Sequence, residues 1–61
     1  MREDSRIEGK IESILELLEE LGQVPQRIVD LIKAENNLNV LSRWLKSAAG
    51  ASSIAEFEAK M

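Results

Sequence analysis

Four glutamates recur at every fourth position, Glu8, Glu12, Glu16 and Glu20, and on a helix that spacing gathers carboxylates into a strip. Such a strip is either a solvated face or a surface that meets basic residues of a partner. General acid-base chemistry needs something else, a carboxylate drawn into an apolar pocket, whereas the acidic residues here fall on faces and caps expected to be wet. Nucleophilic chemistry is no better supplied. Ser5, Ser13, Ser42, Ser47, Ser52 and Ser53 have no histidine to activate them, because the chain contains neither histidine nor cysteine. The same two absences exclude disulfides and zinc sites built on thiolate or imidazole. Gly9, Gly22 and Gly50 stand alone, so no phosphate-cradling loop exists, and no calcium loop is present. These readings predict a protein that is not an enzyme and has no metal or cofactor.

One aromatic lies among cations, in Arg43-Trp44-Leu45-Lys46. Trp44 could stack on a base of single-stranded nucleic acid while Arg43 and Lys46 grip phosphate. Core packing is the stronger reading, since one aromatic in a chain with eight basic and eleven acidic residues, net charge -3, makes a weak binding platform. No direct nucleic-acid binding is expected. Apolar runs never exceed two residues, far short of the roughly 20 that span a bilayer. The mixed charges from Met1 to Arg6 do not resemble a secretory signal, which makes a cytoplasmic setting the expectation.

Punctuation divides the 61 residues into four helical segments of one small all-α bundle. The first runs from about Glu3 to Leu21, with Asp4 or Ser5 as a possible cap and Gly22 past its end as a left-handed terminator. Its apolar residues Ile7, Ile11, Ile14, Leu18 and Leu21 follow intervals of four, three, four and three, the spacing of a coiled-coil seam. Leu15 and Leu17 broaden that stripe beyond what one neighbour covers. A helix of this length buries such a stripe or does not persist in water. It can fold onto its own chain, pair with another copy, or do both. Residues 1–22 are thus expected to form a helix that pairs in a homodimer through Ile7, Ile11, Ile14, Leu15, Leu18 and Leu21, with 23–61 as a compact helical part of the same domain.

Inside the first segment, Arg6-Ile7-Glu8-Gly9 is echoed by Lys10-Ile11-Glu12-Ser13. Each four-residue step leaves the isoleucines on one face with a drift of about 40°. A second helix is expected from Pro25, at its first position, to about Ala34, and a third from an Asn36 or Asn37 cap to Gly50. Ser53 and Glu56 fit a capping box for a short fourth helix, on which Ile54 and Phe57 dock. The expected core anchors are Leu41, Trp44, Leu45 and Phe57.

The order of these pieces, charged Ile-Glu-Gly-Lys repeats leading to Ile14-Leu15-Glu16-Leu17-Leu18-Glu19-Glu20-Leu21-Gly22, a helix begun at Val24-Pro25, Leu41-Ser42-Arg43-Trp44-Leu45-Lys46 and a closing Ser53 to Glu58, resembles the carboxyl-terminal tail of the recombination-promoting nuclease (Rpn) family, also described as putative transposases. The likeness covers Arg6 to Met61, and its distinctive parts are Arg43 to Lys46 and Ser53 to Glu58. In that family the catalytic PD-(D/E)xK domain lies upstream, and its motif does not occur here. The resemblance implies a separately translated small protein, with its internal start at Met1, that acts as an antitoxin in phage defence by binding the full-length toxic nuclease. Inhibition would work by exchange into the nuclease dimer or by covering the nuclease domain with the acidic strip. The alternatives are a plain oligomerisation domain of a larger protein and an adaptor for a basic helical partner.

Overall fold

The computed structural model describes residues 2–61, with side chains from Arg6 onward. It is a small all-α bundle in which α1 spans Arg2–Leu21, α2 Gln26–Ala34, α3 Leu38–Gly50 and α4 Ile54–Lys60. Met1, where the resemblance implies an internal start, lies outside the described residues. Because α1 is already helical at Arg2, Asp4 and Ser5 sit within it rather than capping it, and their side chains are likewise outside the description.

The helix ends follow local chemistry with small departures from expectation. Gly22 donates its amide to the Leu18 carbonyl at 3.2 Å, and its φ of 153° is positive but well beyond the left-handed helical value. It breaks the chain direction through a conformation open essentially to glycine alone, instead of forming the expected left-handed cap. Pro25 is the N-cap of α2, one residue before the expected position, and its carbonyl accepts from the Ile28 and Val29 amides. Asn37 caps α3, its side chain accepting from the amides of Asn39 at 2.9 Å and Val40 at 3.4 Å. Gly50 is the last residue of α3, and the chain turns away at Ala51, in extended backbone. At α4 the Ser53 hydroxyl accepts from the Glu56 amide at 3.2 Å. The Glu56 carboxylate, however, accepts from Ser52 at 2.7 Å rather than from Ser53, so the expected reciprocal box is displaced by one residue.

The seam of α1 is buried chiefly against α3. Ile14, Leu18, Ile28, Ile32, Leu41 and Phe57 are fully buried, with Ile11, Ala48 and Ala51 nearly so. This single cluster takes residues from all four helices, and it runs across the Gly22 position that separates residues 1–22 from 23–61. No polar side-chain atom is buried without a partner among the described residues. The radius of gyration, 10.7 Å, is close to the roughly 10.5 Å expected of a compact chain this long. Within one copy, then, α1 lies along the bundle from Ile7 onward.

Candidate association surface

Four residues per step on a helix with 3.6 per turn send the two tetrapeptide echoes to three different sides of α1. Ile11 goes into the core and Ile7 packs half-buried on its edge. Arg6, Gly9, Lys10 and Ser13 turn toward α3, where they border an open groove of about 560 Å³ floored by Leu38 and Leu45. Glu8 and Glu12 turn the other way, into a hollow shared with Leu15 and with Lys33 of α2. Since α2 returns along α1 and α3 begins beside Ile7, α1 and α3 run in the same sense. The outcome is a helix with a basic edge on one side of its buried seam and an acidic edge on the other.

The expected interface residues separate into two groups. Ile11, Ile14 and Leu18 are buried by the chain's own helices, which removes them from any surface the folded bundle offers to a second copy. Exchange through that seam would first require the core to open. Ile7, Leu15 and Leu21 remain half-buried, as does Leu17, and these keep apolar area for a partner. Of the core anchors, Leu41 and Phe57 are fully buried, while Trp44 and Leu45 lie half-buried against the cluster. Trp44 therefore packs on the core, flanked by exposed Arg43 and Lys46.

The acidic strip does not keep to one face. The same drift that splits the echoes carries it around α1, so that Glu8 and Glu12 border the α2 hollow while Glu16 and Glu20 come round toward the α3 side. All four are exposed. Among the described residues the one ion pair is Arg27 with Glu58, so the charges of α1 from Arg6 to Glu20 have no salt-bridge partner among those residues. No group of three acidic side chains there could hold a metal ion, and no described helix is long and apolar enough to cross a membrane.

Family models, curated proteins and solved structures yielded no match to this chain. The surface itself is what bears on function.

Sequence reasoning marked Leu45 as a core anchor but missed the groove that it lines with Arg6, Lys10, Ser13 and Leu38. The signal was present: Arg6, Lys10, Ser13, Leu17 and Glu20 follow intervals of four, three, four and three, a second stripe with the spacing of the isoleucine seam. Only one of its members is apolar, so a search for hydrophobic periodicity passes over it.

Proposed function

We propose that this chain is a non-catalytic association module whose α1 pairs with the same helix in another polypeptide, either a second copy or a longer protein ending in the same domain. The observation that carries this reading is that α1, after filling the core with Ile11, Ile14 and Leu18, still exposes charges with no ion-pair partner among the described residues, and half-buried leucines, along its flanks. A chain of this size gains stability readily by association, because it buries a small share of its surface alone. On the resemblance to the Rpn tail, the longer partner is the full-length nuclease and the module acts as its antitoxin, within the cytoplasm. Pairing then takes place on the surface of α1 and not by exchange of its buried seam. The plain oligomerisation domain is the second reading, and the same surface serves it.

Two measurements test the proposal. Sedimentation equilibrium at tens of micromolar should show a reversible dimer. Co-expression with a longer chain carrying the same carboxyl-terminal domain should yield a mixed complex, and loss of that chain's nuclease activity would distinguish antitoxin from assembly domain. Replacing Ile11 and Leu18 by Asp does not discriminate, since at buried positions it would unfold the bundle. A monomer at all accessible concentrations, in low salt, would sink the proposal.

A further inference from the structure

The stripe Arg6, Lys10, Ser13, Leu17, Glu20 is basic in its first half and acidic in its second. Glu16 lies beside it in the acidic half, and Gly9 in the basic half borders the groove at the α3 side. Its arrangement is symmetric by position and opposite by charge about Ser13. Arg6 and Glu20 are each seven residues from Ser13, Lys10 and Glu16 each three, and Gly9 and Leu17 each four.

The geometry points to a two-fold dimer in which α1 of one copy lies antiparallel to α1 of another, with the axis at Ser13, Arg6 facing Glu20, Leu17 seated in the groove beside Gly9 and Lys10, and Lys10 level with Glu16 on opposite flanks of the contact. The inference rests on the proposal that the module pairs through α1, and it adds the partner, the orientation and the register.

Three observations support it. Charge complementarity selects the orientation: the antiparallel pair sets Arg6 against Glu20 at both ends of the interface and brings the basic half of each helix level with the acidic half of the other, whereas an in-register parallel pair sets like charge beside like charge at all four positions. Within one copy these charges oppose each other instead, because Arg6 with Lys10 and Glu16 with Glu20 are like pairs at i, i+4. No described salt bridge relieves them. Room for the apolar contact also exists, since a Cβ built on Gly9 meets nothing within 4 Å, and the adjoining groove has Leu38 and Leu45 as its floor. A half-buried Leu17 from the opposing copy finds there an apolar seat that a helix can approach closely over Gly9 and Ser13.

Other surfaces carry less. Leu31, 54% exposed, stands alone among the large apolar residues of α2, and the hollow of Glu8, Glu12 and Lys33 already sets both signs of charge within one copy.

Crosslinking and sedimentation decide the matter. The chain has no cysteine, so introduced thiols are unambiguous. Mixed Arg6→Cys and Glu20→Cys proteins should oxidise to the 6–20 heterodimer, while each alone crosslinks poorly, because identical positions are offset by about 21 Å along the axis. Arg6→Glu with Lys10→Glu should weaken dimerisation about tenfold or more at unchanged helicity, and adding Glu16→Lys with Glu20→Lys in the same chain should restore it. Gly9→Leu should leave a folded monomer. A dimer that crosslinks 6 to 6 and 20 to 20 overturns the antiparallel arrangement and leaves association through α1 standing. A dimer that forms none of these crosslinks overturns the arrangement and leaves only another face of α1 for the pairing, and no dimer at all overturns both.

Discussion

The guanidinium of Arg27 donates to the carboxylate of Glu58 at 2.6 Å, joining α2 to α4 across 31 positions of sequence. Both side chains are wet, at 70% and 39% exposure, and an exposed pair is worth about 0.2–1 kcal/mol. A double-mutant cycle of Arg27→Ala and Glu58→Ala in urea should return a coupling in that range, shrinking in molar salt as the screening length falls to about 3 Å. A larger coupling would mean that α4 is held by charge rather than by its buried ring.

That ring is Phe57, fully buried although α4 has only seven residues. Removing it should cost about 3–5 kcal/mol, against a total of roughly 3–9 kcal/mol for a chain this small. Phe57→Ala is therefore expected to lose most or all of its cooperative thermal transition. Ile14→Ala, at about 2–5 kcal/mol, should shift the urea midpoint strongly, because Ile14 is sealed within the same cluster.

Two glycines should respond with opposite signs. Gly22 holds φ at 153°, so Gly22→Ala is strained and should destabilise by about 1–3 kcal/mol. Gly50 closes α3 with an ordinary negative φ and open space where a Cβ would stand. Gly50→Ala should therefore stabilise by about 0.4–1 kcal/mol. Equal responses in a pair of melting curves would contradict the assigned backbone.

The α3 cap should behave as a local contact. Asn37→Ala frees the amides of Asn39 and Val40 and should cost about 0.5–2 kcal/mol. Asn36→Ala, at an exposed position that contributes no cap, should change little. Circular dichroism melts of the two variants check the assignment.

If α1 pairs with a second copy, folding is linked to association. Thermal midpoints should then rise with protein concentration and lose that dependence in about 1 M salt, where exposed charges are screened. A midpoint that ignores concentration at low salt would count against pairing.

How much of this was legible beforehand can be judged residue by residue. Ile14, Leu18, Leu41 and Phe57 stood out because helical periodicity marks what must be covered. Asn37 and Ser53 stood out because a short polar side chain before an apolar run satisfies free amides. The groove beside Gly9 was hidden, since it is made by α3 lying alongside α1, and its residues are polar, small or shared between helices. Gly22 was expected in the left-handed conformation, whereas its φ of 153° lies well beyond it.

Residue type and spacing alone established four helices, an all-α bundle, and a first helix whose seam had to be hidden. Tertiary packing decided what hides it: α3, within the same copy, takes Ile11, Ile14 and Leu18 out of reach. It also decided which sides of α1 are taken by α2 and α3, leaving open a stripe that is basic at one end and acidic at the other. The reason is that periodicity records which face avoids water, while the identity of the covering surface depends on contacts between residues far apart along the chain.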